Sequence, residues 1–315
     1  MPQTYILPFN KISKRDVKIA GGKGASLGEM TQAKISVPPG FVIVAGAFDY
    51  FLRETDLLAD IQTQLKKVNY KDVNSVDKTS NTIRDMIHDQ RLPKDLQNEI
   101  LAAYQGAKMK YVAVRSSATA EDSTTASWAG ELETYLNTTA KNLLGRVKDC
   151  WSSLFTPRAI FYRFEKGLRN SKVSVAVVVQ EMVQSEISGV AFTVHPVTKN
   201  KNQMILEAGF GLGEAIVSGQ ITPDSYIVDK RDFSILDINI SEQKKMLVQK
   251  PGSGNVWKNT HCEKRECQKL SGQQIIGLAQ MCAAIERHYG KPQDIEWAFV
   301  KGRFYITQSR PITTL

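Results

Sequence analysis

A protein of mixed helices and strands is what this sequence predicts, and three observations carry the prediction. Hydrophobic residues make up 42% and charged residues 23% of the 315 residues, the usage of a globular chain rather than a disordered one. Apolar runs of strand length recur, the clearest at 173–179, where Val-Ser-Val-Ala-Val-Val-Val reads as a strand buried on both faces. Between such runs lie stretches with apolar residues at helical spacing. At roughly 100–200 residues per domain, the length allows one large domain or two small ones.

The elements follow in order. Ile6 and Leu7 sit in a short strand. Residues 22–33 read as a helix that opens through Gly21-Gly22-Lys23-Gly24. Val37-Pro38-Pro39-Gly40 is a turn into a strand at 41–44. Residues 55–106 are polar and mostly helical. One helix there has Pro93 in its first turn and buries Leu96, Ile100, Ala103 and Tyr104. A strand at 111–114 runs into a polar loop of small residues at 115–123, and helices follow over 140–168. Further strands are expected at 190–194, 204–206 and 225–228. The breakers at 251–255 predict a mobile loop. Ile275, Leu278, Ala279, Cys282, Ile285 and Tyr289 mark an amphipathic helix. The chain closes with a hairpin of 294–299 and 303–308, turned at Lys301-Gly302.

Composition narrows the function. No run approaches the ~18 apolar residues of a membrane helix, and the first residues lack a basic start followed by an apolar signal core. A soluble, cytoplasmic protein with no membrane partner is the expectation. Lys plus Arg exceed Asp plus Glu by 41 − 32 = 9, which favours an anionic partner. Segment 241–270 holds seven basic and three acidic residues, but it lacks the interleaved aromatics of a base-stacking platform. It reads as a solvated, loop-rich face, and nucleic acid is not expected. Cys150, Cys262, Cys267 and Cys282 include no C-x2-C pair. His261 with Cys262 and Cys267 falls short of a closed zinc shell.

Four groups of residues could carry chemistry. Glycines around Lys23 would let backbone amides approach an anion at a helix start, while Lys23 supplies charge. The alternative is a glycine turn with a surface lysine, since the P-loop pattern is absent. Arg115, supported by a strand, could fork onto phosphate oxygens or pair with Glu121 or Asp122. Gly209-Phe210-Gly211-Leu212-Gly213-Glu214 fails the dinucleotide fingerprint, whose third glycine would fall at Glu214. Glu296 and Gln308 flank the C-terminal turn, where cross-strand placement could bring two oxygens to one hard cation, with Arg310 on the same face. A surface ion-pair cluster is the alternative there. None of the histidines (His88, His195, His261, His288) stands out as a phosphate carrier.

Together the segments resemble one family. They are GGKGASLGEM at 21–30, VPPGFVI at 37–43, AVRSSATAEDS at 113–123, SWAGELETYLN at 127–137, VVVQEMVQSEISGVAFTVHP at 177–196, ILEAGFGLGEAIVSGQITPDSY at 205–226, DIEWAF at 294–299 and ITQSRPI at 306–312. In this order they look like the N-terminal ATP-binding domain of phosphoenolpyruvate synthase and its relatives, pyruvate phosphate dikinase and rifampicin phosphotransferase. The resemblance implies an α+β, ATP-grasp-like fold with two lobes clamping Mg-ATP in the cleft between them. The lobes would be 1–183, with a hinge at 180–183, and 184–315. It implies phosphate-holding roles for Lys23 and Arg115 and an adenine-side hinge of Gln180, Glu181, Met182 and Val183. Glu186 would lie near the ribose, Glu296 and Gln308 would hold Mg2+, and Arg310 would contact the terminal phosphates. Lys23, Arg115 and Arg310 are then the catalytic candidates. Leu132 stands where the family commonly carries glutamine. The implied reaction is a pyruvate, water dikinase-like transfer from ATP to a histidine on a separate or missing domain, so the chain is expected to be incomplete alone. Two alternatives are the ATP-binding half of a rifampicin phosphotransferase-like enzyme and a nucleotide-binding module without turnover.

Overall fold

The computed structural model describes residues 4–119, 122–123, 126–127, 133–167 and 174–313. Glu121, Leu132 and Val173, singled out above, lie outside the described residues. The chain divides into two compact units. The first comprises 1–32 and 39–182, the second 33–38 and 183–315.

The first unit runs β1 (Ile6–Pro8), α1 (Val17–Gln32), β2 (Gly40–Ile43), α2 (Ala45–Glu54), α3 (Leu57–Lys66), α4 (Val73–Asp89), α5 (Lys94–Gly106), β3 (Val112–Ala118), β4 (Asp122–Ser123), β5 (Ala126–Ser127), β6 (Thr134–Thr138), α6 (Ala140–Ser152), α7 (Pro157–Glu165) and β7 (Val175–Glu181). Its five-stranded sheet has the order β1-β2-β7-β3-β6 and is antiparallel throughout. The β-branched run 175–179 forms the central strand and is buried along its length, as its composition predicts. Phe41, Ile43, Val114, Val175, Val177 and Val179 share one sheet face and a core with Phe48, Phe51 and Trp151 from the helices. The opposite face carries α1, which packs on β3 and β7. In α5, Leu96, Ile100 and Tyr104 are buried as read, while Ala103 is partly buried and Pro93 is the N-cap rather than a first-turn residue.

The second unit runs β8 (Ile187–Phe192), β9 (Gln203–Phe210), α8 (Glu214–Val217), β10 (Asp224–Asp229), β11 (Ile235–Asn239), β12 (Lys245–Gln249), β13 (Asn255–Asn259), α9 (Gly272–Tyr289), β14 (Gln293–Val300) and β15 (Arg303–Pro311). Its six-stranded antiparallel sheet has the order β11-β10-β9-β8-β14-β15. Helix α9 starts with a Ser271–Gln274 capping box, ends at left-handed Gly290 and buries Ile275, Leu278, Ala279, Cys282 and Ile285. Tyr289 is only partly buried. The segment read as loop-rich contains the two-stranded β12–β13 hairpin, and the breakers at 251–254 form its turn.

A buried ion pair ties this basic segment to the sheet. Lys269 Nζ donates to Asp224 Oδ1 at 2.8 Å, and both side chains are fully buried. Asp224 also accepts from Tyr226 Oη, the Lys269 amide and the Ser241 amide, so neither charge is left without partners. Residues 33–38 belong to the second unit through Ser36, whose carbonyl accepts from the Ile306 amide at 2.8 Å and whose Oγ accepts from Arg303 Nε at 3.2 Å. No helix among the described residues is long and apolar enough to cross a membrane.

Candidate functional site

In the first unit the candidate residues gather on the sheet face that carries α1. The helical trace of α1 breaks at Gly21, with φ 68° and ψ 173°, so a new helical segment opens at Gly22. A Cβ at Gly21 would sit 2.2 Å from Ser117 Oγ, so glycine is required by both conformation and space. Ser117 Oγ then accepts from the amides of Lys23 (3.1 Å) and Gly24 (3.4 Å), acting as a long-range cap. These two amides are therefore satisfied inside the protein. The glycines serve close packing of α1 on β3, and these two amides donate to Ser117 at the start of the helical segment.

Arg115, Ser116 and Ser117 lie inside β3, not in a loop after it. Small polar residues read as a loop, but each finds a local reason to be buried. Ser116 donates through its amide (3.1 Å) and its Oγ (2.9 Å) to the Glu133 carbonyl, and Ser117 caps α1. Arg115 pairs across to Val178, and Gln180 pairs across to Ala113, so Arg115, Ser117 and Gln180 share the α1-side face. Gln180 is 2% exposed, and its Nε2 has no hydrogen-bond partner among the described residues. A buried amide left unpaired costs about 1–3 kcal/mol, so its donor suits an acceptor outside the polypeptide. Further along, the Glu181 amide donates to Pro39 O (2.8 Å) and the Met182 amide to Tyr111 O (2.9 Å). The Glu181 and Met182 amides are thus already committed within the protein. Glu181 is exposed, and Met182 and Val183 are partly buried.

In the second unit β14 and β15 pair around Lys301 (φ 50°) and Gly302 (φ 77°), two left-handed residues that suit a tight hairpin turn. Glu296 lies directly opposite Gln308, and Asp294 directly opposite Arg310. With period-two alternation, all four side chains fall on one sheet face. Arg310 donates to Asp294 Oδ2 from Nε (2.9 Å) and Nη2 (2.7 Å), which orients its guanidinium. Burial pushes the Asp294 carboxyl above the ordinary carboxylate range. Arg310 opposes that shift, and the nearby Glu296 adds to it. Across Val190, the same row reaches Glu207 on β9. Its carboxyl is raised by burial and by the negative charge of Asp294.

A carboxylate facing an amide oxygen is a hard-oxygen pair suited to Mg2+, which takes few protein ligands and completes its shell with water and phosphate. Among the described residues no group of three or more His, Cys, Asp or Glu side chains could hold a metal ion. Glu296 and Gln308 supply one carboxylate and one carboxamide to this face.

Glu186 sits beside the same hairpin. Its amide donates to Phe299 O (2.9 Å), and its Oε1 accepts from the Lys301 amide (3.3 Å). The glycine run 209–213 is a packing device. Gly211 has φ 90°, and a Cβ there would lie 2.4 Å from Leu247 O. The hydroxyls of Ser185 and Ser188 donate to the Gly211 carbonyl.

Two of the histidines have local side-chain partners. His88 Nε2 lies 3.2 Å from Ser152 Oγ and 3.5 Å from Asp149, and His195 Nδ1 accepts from the amides of Val197 and Thr198. The sequence does not single out Asp294, Glu207 or Ser117. Asp294 carries a local signal, because it stands two residues before Glu296 and so on the same strand face.

Two units, each an antiparallel sheet packed with helices, define an α+β protein. The family model described as "Pyruvate phosphate dikinase, AMP/ATP-binding domain" matches residues 17–315, and the chain belongs to that family. Its fold class is the α+β, ATP-grasp-like one expected. The chain is 45% identical over 99% of its length to a protein of Methanocaldococcus jannaschii named "Probable phosphoenolpyruvate synthase", of which it covers 27%. It is 42% identical over its whole length to the phosphoenolpyruvate synthase of Pyrococcus furiosus, covering 44% of that protein. It is 38% identical over 99% of its length to the rifampicin phosphotransferase of Bacillus subtilis, covering 36%. The chain thus spans less than half the length of each.

Proposed function

We propose that this chain is the ATP-binding part of a phosphoenolpyruvate synthase-like phosphotransferase, passing a phosphoryl group from Mg-ATP to a histidine on a further domain or separate protein. The observation that carries the reading is the register of β14 and β15, which lines up Glu296, Gln308, Asp294 and Arg310 on one face. In this reading Glu296 and Gln308 hold Mg2+, which when bound neutralises phosphate charge. Arg310, kept in place by Asp294, contacts the terminal phosphates. Lys23 and Arg115 hold phosphate oxygens, Arg115 from a buried position on the interior strand β3. Phosphoryl transfer asks for such positioning and charge neutralisation. Gln180 offers its Nε2 to the base, with Glu181, Met182 and Val183 beside it, and Glu186 lies near the ribose. Lys23, Arg115, Gln180, Glu181 and Met182 belong to the first unit, and Val183, Glu186, Glu296, Gln308 and Arg310 to the second.

A second reading, transfer to a small-molecule hydroxyl, is favoured by one observation, the 38% identity to a rifampicin phosphotransferase. The synthase reading is preferred for the higher identities of 45% and 42% to the two synthases.

Calorimetric titration with ATP, with and without Mg2+, tests the site. Wild type should bind in a Mg2+-dependent manner, and Glu296→Ala should lose that dependence with metal-free binding little changed. Lys23→Ala should weaken ATP more than adenosine. Equal losses for the two ligands would make Lys23 structural, and Mg2+ dependence that survives in Glu296→Ala would remove the proposed metal pair.

A further inference from the structure

Strand β9 runs past the end of its neighbour. The last pair between β10 and β9 is Asp224 with Ala208, so β10 offers nothing to the backbone of Phe210. A side chain takes the strand's place. Gln243 Oε1 accepts from the Phe210 amide at 2.8 Å, and Gln243 Nε2 donates to the Phe210 carbonyl at 2.9 Å and to the Lys245 carbonyl at 3.1 Å. The carboxamide thus commits its oxygen and both N–H groups to backbone partners. Gln243 is 1% exposed, and its own amide donates to the Arg265 carbonyl at 2.8 Å, so the clasp is itself held.

The clasp bears on Glu186 through one peptide link. Gly211, next to Phe210, donates its amide to the Glu186 carbonyl at 3.0 Å, and the Glu186 amide donates to the Phe299 carbonyl at 2.9 Å. Glu186 is exposed, so packing does not fix its carboxylate. Its backbone is fixed from two sides instead. The Phe299 side is part of the sheet, because Phe299 lies opposite Ile187 in the pairing of β14 and β8. The Gly211 side lies past the end of β9 and has φ 90°, where glycine is conformationally free. The Ser185 and Ser188 hydroxyls also donate to the Gly211 carbonyl, but they belong to the same segment as Glu186 and do not anchor it independently. Gln243, with the Leu212 amide on the Leu247 carbonyl (2.9 Å), ties this side to a different part of the chain.

We propose that Gln243 is a positioning residue for nucleotide recognition. By clasping Phe210 it sets Gly211, and through Gly211 it sets where the Glu186 carboxylate meets the ribose hydroxyls. The inference rests on the reading that puts Glu186 at the ribose. Gln243 touches no ligand in this scheme. Its length and its amide chemistry matter together, since a shorter or apolar side chain leaves the Phe210 amide without its acceptor.

Calorimetric titration of the 315-residue chain with ATP and with 2′,3′-dideoxy-ATP, both with Mg2+, tests this. A hydrogen bond to a charged group is worth about tenfold in affinity, so the wild type should prefer ATP by about that factor. Glu186→Ala should remove the preference. Gln243→Ala should cut it to about two-fold or less, with the affinity for dideoxy-ATP changed by less than about two-fold. A lower folded fraction weakens both nucleotides equally, so the ratio reports position rather than stability. Gln243→Met, which keeps length and bulk, provides the same readout if the alanine variant does not fold. A preference lost in Glu186→Ala but kept in the Gln243 variants overturns the positioning role and leaves Glu186 at the ribose. A wild type that binds both nucleotides equally, or a preference that survives Glu186→Ala, overturns the ribose reading and this inference with it.

Discussion

The α1-side face of the first sheet and the β14–β15 face of the second hold candidate ligand groups by opposite means. On the first, Arg115 and Gln180 are buried, and α1 is pressed on the strand through Gly21 and the Ser117 cap. On the second, Glu296 and Glu207 are only partly buried and Arg310 is exposed, and an ion pair rather than packing fixes the arginine. Packing makes placement inseparable from folding. An ion pair in partial contact with water makes placement adjustable and sensitive to pH. Substitutions on the first face should therefore cost the fold and the ligand together, and those on the second should cost the ligand alone.

The sharpest attempt to break that comparison is Gly21→Ala. The new Cβ would meet Ser117 at 2.2 Å in a left-handed conformation, so α1 has to lift from β3. A loss of roughly 3 kcal/mol or more in unfolding stability is expected, with Mg-ATP binding lost in parallel. A variant that unfolds as wild type does but binds no nucleotide would show that this face is as separable as the other.

Next is Asp294→Asn. Arg310 keeps an acceptor but loses its charge partner, so Mg-ATP affinity should fall roughly five- to ten-fold while thermal stability changes little. The pH dependence carries the sign. Burial raises the Asp294 carboxyl, so as pH falls it takes up a proton before an ordinary carboxylate does, and Arg310 then loses its countercharge. Wild-type affinity should decline there, and the asparagine variant should be flat across the same window. Parallel declines would place the titrating group elsewhere, with Glu207 the first candidate.

A smaller effect separates the cap from the glycine. Ser117→Ala removes the acceptor for the Lys23 and Gly24 amides without adding bulk. Losing such a cap costs about 1 kcal/mol. Stability should drop by that amount, with ATP weakened more than adenosine because Lys23 sits on the loosened turn.

The contrast between the two faces also explains what was legible. The β14–β15 hairpin announces itself locally, with alternating strands, a Lys-Gly turn and candidate residues two apart on each strand. Helix α9 and strand β7 are equally local, one by helical spacing and the other by an unbroken β-branched run. The extension of β3 through Arg115 and Ser117 is different. Its polar residues look like a loop because their partners, the Glu133 carbonyl and the Lys23 amide, lie 17 and 94 residues away. The allegiance of 33–38 to the second unit rests on Ser36 contacts with residues some 270 positions away. Neither leaves a periodic trace in its own window. The residues of the β14–β15 face are therefore readable as chemistry, whereas Ser117, which holds another segment, is not.

The smallest effect is a sign test between two aspartates of the second unit. Asp229 accepts from Arg231 Nε and Nη2 and from the Arg231 amide, which pulls its carboxyl down to about 2. A depressed acid contributes stability that is present above the unfolded value, ~3.9, and lost as pH falls toward 2. Asp294 is shifted the other way, so the folded state holds its proton more tightly, and stability tied to it grows as pH falls through the raised value. Denaturant unfolding between pH 2 and 7 should separate them. Asp229→Asn should lie below wild type at neutral pH and converge with it as the acid limit is approached. Asp294→Asn should match wild type closely at neutral pH and lack only the gain that wild type shows on the acid side from protonation. If both variants track wild type with the same slope, the two carboxylates titrate alike. Charge pairing and burial would then not distinguish the Arg231 turn from the β14–β15 face.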